Sequence, residues 1–198
     1  MKKIVLAMTM LLATAASYGQ TATQVLDKAA QKLTAKSGVK ADFKATTPQG
    51  TISGTIAVKG NKFMATTQHT KVWFDGKTQW TYLTRNDEVN VSNPKDSELQ
   101  SLNPYNFINM YKQGYKSTMR KDGNSYIVHL TAESKTKKVQ ELFITVDSKT
   151  SAPTQVKMLQ GKSWTTFDVS NLQQQSLPDS YFRFNAKDFP TAEVIDLR

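Results

Sequence analysis

Residue types that commonly carry out catalysis are scarce in this chain. His69 and His129 are the two histidines, there is no cysteine, and neither histidine lies in a metal-ligand or nucleophile motif. Asp87 and Glu88 are adjacent, and adjacent residues of a strand point to opposite faces, so they do not form a catalytic pair. The sequence therefore predicts a protein that is not an enzyme and needs no cofactor and no metal. An enzyme of unfamiliar type would require a polar pocket that joins His129 to a carboxylate.

Large apolar side chains are the more unusual chemistry of the sequence. Strand-like segments carry more of them than one short helix could cover, although an ordinary core is the plainer interpretation for any single residue. Residues 104–113 are predicted to form a short helix that is apolar nearly all round, as buried helices are, and that would act as a plug or a lid over a cavity. Met64, Met110 and Met158 would give the cavity an adaptable lining. The candidate cavity residues are Ile56, Val58, Phe63, Trp73, Trp80, Tyr82, Phe107, Ile108, Tyr111, Phe143, Met158, Trp164 and Phe167.

A hairpin is predicted at residues 72–82, which read VWFDGKTQWTY. Asp75 and Gly76 between two aromatic, β-branched runs favour a two-residue type I′ turn. In that register Phe74 lies opposite Lys77 and Trp73 opposite Thr78. Trp73, Trp80 and Tyr82 then share one face, and Val72, Phe74 and Leu83 share the other. A hairpin that is apolar on both faces must be covered on one side and must cover or line something on the other.

Periodicity predicts the elements that would position these residues. An amphipathic helix is expected over residues 23–36, with Thr23 as N-cap and Gly38 as stop. From Val39 onward the apolar period changes to two, and turns separate about ten strands. The expected fold is α+β: a long, curled antiparallel sheet, or incomplete β-barrel, with an N-terminal helix and short lid helices over an apolar cavity.

Residues 1–19 predict a signal peptide, because Lys2 and Lys3 precede a short apolar run and small residues precede Gln20. Cleavage is expected between Gly19 and Gln20, leaving residues 20–198 as one domain. A chain without cysteine fits a bacterial periplasm or exterior and excludes a lipidated cysteine. The net charge is +10, or +8 without residues 1–19. The basic surface is either simply solvated or contacts anionic lipid headgroups or an acidic partner, and nucleic acid is an improbable partner.

Several stretches together resemble the outer-membrane lipoprotein carrier (LolA) family. They are VWFDGKTQWTY, NPYNFINMY, YIVHLTAES, ELFITVDSKTSAPTQVKM and FRFNAKDFP, in this order along the mature chain. The resemblance implies an incomplete antiparallel barrel whose apolar cavity holds lipoprotein acyl chains under a movable helix at residues 104–113. It also implies acylated lipoproteins as cargo, an inner-membrane ABC transporter as donor, an outer-membrane acceptor and a monomeric carrier.

The chain departs from the family pattern at the turn over residues 59–62, which reads KGNK. Family members often carry Arg-Pro there, and the arginine holds the lid closed by hydrogen bonds; lysine cannot reproduce a planar bidentate contact. Two other functions fit the same residues. One is a carrier or sensor of another amphiphile, such as a glycolipid or an envelope-stress ligand, and the other is a ligand-free interaction module that presents a sheet edge to a membrane protein.

Overall fold

A computed structural model describes residues 20–95 and 110–198, in which one helix lies against one twelve-stranded sheet. Helix α1 is Ala22–Leu33, and the strands are β1 Val39–Thr47, β2 Gly50–Lys59, β3 Lys62–Thr67, β4 Thr70–Phe74, β5 Gln79–Leu83, β6 Glu88–Ser92, β7 Tyr115–Asp122, β8 Ser125–Ala132, β9 Val139–Asp147, β10 Pro153–Gln160, β11 Ser163–Gln174 and β12 Glu193–Asp196. Their order in the sheet is β12-β6-β5-β4-β3-β2-β1-β11-β10-β9-β8-β7. The predicted α+β class, with an open, curled sheet and an N-terminal helix, is confirmed.

Helix α1 begins two residues earlier than the spacing predicts. Thr21, not Thr23, is the N-cap: its side chain accepts from the Gln24 amide at 3.2 Å, and the Gln24 side chain accepts from the Thr21 amide at 3.0 Å. This reciprocal capping box satisfies two backbone donors that a bare helix end would leave open. The predicted apolar stripe is the buried face of the helix, and it consists of Val25, Leu26, Ala29, Ala30 and Leu33.

The sheet has two apolar faces that are covered by different parts of the chain. We call the side under α1 the helix face; its buried core includes Ile56, Val58, Phe63, Phe74 and Met158. We call the opposite side the outer face, and Ala57, Leu177 and Phe182 form a smaller buried cluster there. The segment between β11 and β12, which includes 3₁₀ turns at Asp179–Phe182 and Ala186–Asp188, supplies that cover.

Near the middle of the sheet, β1 pairs with β11, and these two strands come from opposite ends of the chain. Phe43 pairs with Val169 and Ala45 with Phe167, and the register shifts between Lys40 and Asp42. Asn171 has φ 52° beside this shift, and its Nδ2 donates to Asp42 Oδ2 at 2.7 Å. The shift is a β-bulge, which bends a strand and increases its twist.

Gly54 marks the closest approach between two strands near this centre. A Cβ built on Gly54 would lie 2.0 Å from the Thr66 carbonyl oxygen of β3 and 3.1 Å from the Phe43 ring of β1. Real Cβ atoms are not found that close to a backbone oxygen, so the backbone geometry here requires glycine.

The hairpin around Asp75 has a longer loop than predicted. Phe74 pairs with Gln79 and Trp73 with Trp80, so four residues, 75–78, form the loop. The Asp75 side chain accepts from the amides of Lys77 at 3.1 Å and Thr78 at 2.9 Å, which replaces the predicted type I′ turn by an Asx-type turn. The predicted pairing was therefore wrong by two residues, and since faces alternate with a period of two, the predicted assignment of faces still holds.

Two strands were not predicted, β7 and β12. β7 reads YKSTMRKD and is mostly exposed, because it is an edge strand and few of its side chains meet the core. β12 has four residues and is also mostly exposed. Neither segment has the apolar alternation on which sequence-based strand prediction depends.

Candidate apolar binding face

The helix face brings together five of the predicted cavity residues from the strands. Ile56, Val58, Phe63 and Met158 are buried in the core, and Phe167 packs against that core while half-buried. They come from β2, β3, β10 and β11, and each alternates with a side chain on the outer face. The helix face is therefore one continuous apolar surface that crosses the middle of the sheet.

Part of this surface is only half-buried. Phe43, Ala65, Val72, Phe167 and Val169 are half-buried, and Ile52 is 57% exposed. Ile52 pairs with Ala45, Val72 with Ala65 and Phe43 with Val169, so all lie on the helix face. We call this set the apolar strip. Exposed apolar surface on an otherwise buried face is typical of a site for an apolar ligand.

Most of the apolar strip is missing from the candidate residues derived from the sequence. Phe43, Ala65, Val72 and Val169 look like ordinary strand residues, and what distinguishes them is that they are only half-buried. A period-two match to Ile56 and Val58 could have found Ile52, because it lies on the same face of β2. The sequence contains no direct signal for how deeply each of these strand residues is buried.

Tyr111 connects the chain beyond residue 109 to α1. Its hydroxyl donates to the Asp27 carboxylate, and burial together with this hydrogen bond raises the pKa of Tyr111. Lys137 Nζ donates to the Gln113 carbonyl at 3.1 Å and lies 5.4 Å from the Tyr115 ring. Residues 110–112 form a 3₁₀ turn. Phe107 and Ile108, with the rest of the predicted helix before residue 110, lie outside the described residues.

Trp73, Trp80 and Tyr82 lie on the outer face and not with Ile56 and the other helix-face residues. Aromatic rings of the C-terminal segment pack against Trp73 and Tyr82 on this face, and Arg183 lies 6.0 Å from the Trp80 ring. Phe189 lies 5.6 Å from the Trp73 ring and 4.7 Å from the Tyr82 ring, and Phe184 lies 5.7 Å from Trp73. Ring contacts at these distances stabilise the fold beyond simple burial. This set of rings, which we call the outer aromatic cluster, holds the segment to the sheet.

Charged contacts fasten the same segment at the turn where the family pattern has an arginine. Lys59 Nζ donates to the Leu177 carbonyl at 2.8 Å and to Asp179 at 3.0 Å, and Lys62 Nζ donates to Asp179 at 2.7 Å. Hydrogen bonds from Lys62 and Lys59 lower the pKa of the Asp179 carboxyl to about 2. Arg183 pairs with Asp75 at 3.3 Å. The two lysines thus bind the C-terminal segment on the outer face.

Phe143 and Trp164 also lie on the outer face, at the other half of the sheet. The ring of His129 stacks on Phe143 at 4.1 Å, Phe143 lies 6.0 Å from Trp164, and Lys157 lies 4.7 Å over Trp164. His129 Nε2 is 3.1 Å from Glu141 Oε2, with both side chains about one-third exposed. His129 and Glu141 thus form a partly exposed polar contact between neighbouring strands on the outer face.

Two further findings concern the described residues alone. No helix among residues 20–95 and 110–198 is long and apolar enough to span a membrane. Within the same ranges, histidine, aspartate and glutamate do not gather in groups of three or more that could hold a metal ion.

Comparison with known families now assigns the fold to a family. The family model described as outer membrane lipoprotein carrier protein LolA matches residues 12–162. This chain belongs to the LolA family. The matched range includes α1 and the strands from β1 to β10, and therefore most of the helix face. No curated protein sequence is significantly similar to this LolA-family chain.

Solved structures are similar to this LolA-family chain at low sequence identity. An uncharacterized conserved protein from Thermus thermophilus has a TM-score of 0.62 at 12% identity, over 89% of this chain and 99% of that one. The LolA superfamily protein NE2245 from Nitrosomonas europaea has 0.46 at 12%, over 84% and 99%. Lipoprotein LppX from Mycobacterium tuberculosis has 0.43 at 11%, over 79% and 95%.

Proposed function

We propose that this protein is a periplasmic carrier that binds the acyl chains of lipoproteins on its helix face. It would take them from an inner-membrane ABC transporter and deliver them to an outer-membrane acceptor, without catalysis and as a monomer. Residues 1–19 would be its signal peptide, and residues 20–198 its single carrier domain. Membership of the LolA family supports this proposal.

The observation that carries the proposal is the apolar strip beside the buried core of the helix face. Each methylene removed from water stabilises a complex by about 0.8 kcal/mol, so one long acyl chain gains of the order of 10 kcal/mol. The strip offers half-covered phenylalanine and valine side chains from β1, β4 and β11, next to residues already excluded from water. Such a surface fits alkyl chains.

Native mass spectrometry of the mature protein, purified from the periplasm of its own host, is the first experiment. A bound population at the masses of triacylated lipoproteins would support the carrier function. A bound glycolipid or free fatty acid would favour a carrier or sensor of another amphiphile. A bare protein that also fails to bind acylated peptides would contradict the proposal and favour the interaction module.

Phe167 and Trp164 provide a matched pair that tests which face binds the ligand. Both are half-buried aromatic residues of β11, but Phe167 lies on the helix face and Trp164 on the outer face. We expect Phe167→Ala to weaken the binding of an acylated peptide about tenfold or more, because it removes apolar contact area from the strip. Trp164→Ala should leave the affinity within about twofold. Isothermal titration measures both, and equal losses would place the ligand elsewhere.

A further inference from the structure

The helix face changes from apolar to polar across strands β5 and β6. Val72 and Phe74 of β4 lie on this face, whereas Gln79 and Thr81 of β5 lie beside them. Gln79 pairs with Ser92 and Thr81 with Asn90 of β6, so four uncharged polar side chains share the helix face at this end. A ligand whose acyl chains lie along the apolar strip would meet these groups with its polar part.

Gln79 is the unusual member of this polar group. Its residue is only 9% exposed, and its Oε1 has no hydrogen-bond partner within the described part of the chain. Its Nε2 donates to Thr81 Oγ1 at 3.2 Å. If the amide is turned over, Thr81 can donate to the oxygen, and the NH₂ group is then left without a partner instead. In either orientation one buried polar atom of Gln79 is unpaired, and in the orientation of the structure that atom is the acceptor Oε1.

An unpaired buried polar atom is costly and therefore needs a reason. Leaving it unsatisfied destabilises a protein by about 1–3 kcal/mol, and few such atoms occur in a native structure. The preceding residue shows the ordinary arrangement: Thr78 is also buried, on the outer face, and its hydroxyl donates to Asn93 Oδ1 at 3.0 Å. Leucine or methionine would fill the position of Gln79 without this cost.

We propose that Gln79 recognises the polar head of the bound amphiphile, by accepting a hydrogen bond from a hydroxyl or amide group next to the acyl chain. This inference rests on the proposed function and names the ligand class that the site prefers. Gln79, Thr81, Asn90 and Ser92 carry no charge, and Glu88, which lies on the same face of β6, is acidic. The site therefore favours an uncharged head that donates hydrogen bonds over a phosphate or a carboxylate. Acylated glycerol and N-acyl groups both provide such a donor.

Three ligands with the same acyl chain test the proposal on the mature protein. 1-Monolauroylglycerol offers hydroxyl donors, N-methyl lauramide offers one amide donor, and methyl laurate offers none. We expect both donor ligands to bind wild-type protein about fivefold more tightly than the ester, which is the effect of one modest hydrogen bond. Affinities are measured by isothermal titration calorimetry.

Substitution of Gln79 then separates recognition from packing. Gln79→Met, which keeps the length of the side chain, should weaken both donor ligands about fivefold and leave methyl laurate unchanged, so that the preference disappears. Thr78→Val is the matched control, because it removes a buried polar group on the outer face and should keep the preference. Gln79→Ala removes the amide without adding bulk and gives the same comparison if methionine does not fit.

The outcomes distinguish this inference from the proposed function. A preference that persists in Gln79→Met, or a loss that is equal for all three ligands, would overturn the role of Gln79 while acyl binding still stands. Wild-type protein that binds none of the three ligands would overturn the proposed function and this inference together. A preference for hydroxyl over amide, or the reverse, would identify which donor the amide of Gln79 accepts.

Discussion

Asp179 shows how single residues hold the C-terminal segment on the sheet. Its carboxylate lies between the ammonium groups of Lys59 and Lys62, at the turn where the family pattern has an arginine. Because lysine offers point charges and no planar fork, two lysines share one carboxylate here. At this turn the two lysines therefore hold the C-terminal segment against the outer face.

The first prediction concerns the pH dependence of this contact. The pKa of Asp179 falls from 3.8 to about 2 in the folded protein, so its stabilising effect is complete above pH 4 and is lost as the pH falls through 2. We expect Asp179→Asn to lower the free energy of unfolding by a small, constant amount above about pH 5. That difference should shrink toward zero between about pH 4 and pH 2.

Urea unfolding of wild type and Asp179→Asn across this pH range measures the effect. Asp188→Asn, an exposed carboxylate of the same segment, is the control. A difference that is as large at pH 2 as at pH 7 would show that the lysines do not stabilise the charged form of Asp179.

At the scale of elements, the close approach of β2 to β3 depends on glycine at position 54. Adding even one carbon there brings it within 2.0 Å of the Thr66 carbonyl oxygen. We expect Gly54→Ala to destabilise the protein by about 1–3 kcal/mol, because backbone must move to admit the methyl group. Thermal or urea unfolding measures this loss.

Ser53→Ala is the matched control for Gly54. It is an exposed neighbour on the same strand, and its substitution should change stability by less than about 0.5 kcal/mol. A Gly54→Ala variant as stable as Ser53→Ala would mean that the two strands can separate at little cost.

The elements differ in how far sequence reasoning could predict them. The stripe of α1 and the alternation of β1 to β6 are local patterns, and all appear in the structure. Strands β7 and β12 lie at the two edges of the sheet, where burial no longer imposes a pattern. The loop at Asp75 depended on a side-chain hydrogen bond to two amides, which competes with the type I′ turn and is not visible in the residue pair Asp-Gly.

Which face of the sheet is inward could not be predicted from alternation. The pattern correctly separates Trp73, Trp80 and Tyr82 from Val72 and Phe74, but it contains no information on which set meets α1. That choice depends on Phe184 and Phe189 of the C-terminal segment, more than one hundred residues away in the chain, which pack against Trp73 and Tyr82. The available signal was the group of aromatic residues that follows β11, namely Tyr181, Phe182, Phe184 and Phe189.

At the scale of the whole molecule, the two faces are expected to serve different purposes. The outer aromatic cluster should stabilise the fold, while the apolar strip should bind ligand. We expect Phe189→Ala to destabilise the protein by about 2 kcal/mol, because it removes ring contacts to Trp73, Tyr82 and Phe184. Below its melting transition, this variant should bind acylated peptide with wild-type affinity.

Phe167→Ala, on the helix face, should show the opposite behaviour to Phe189→Ala: its main effect should be weaker binding of the acylated peptide. Thermal unfolding and calorimetric titration of both variants compare the two faces directly. Weaker acyl binding by folded Phe189→Ala would show that the outer face contributes to the ligand site.

Because β1 pairs with β11, the centre of the sheet cannot form until nearly the whole chain is present. The hairpins on either side close over short loops, but Phe43 must find Val169 across the intervening sequence. Such non-local pairing gives a high contact order and folding times of about milliseconds to seconds. Slow folding of this kind would help a chain that crosses a membrane unfolded, as the proposed export of this protein requires.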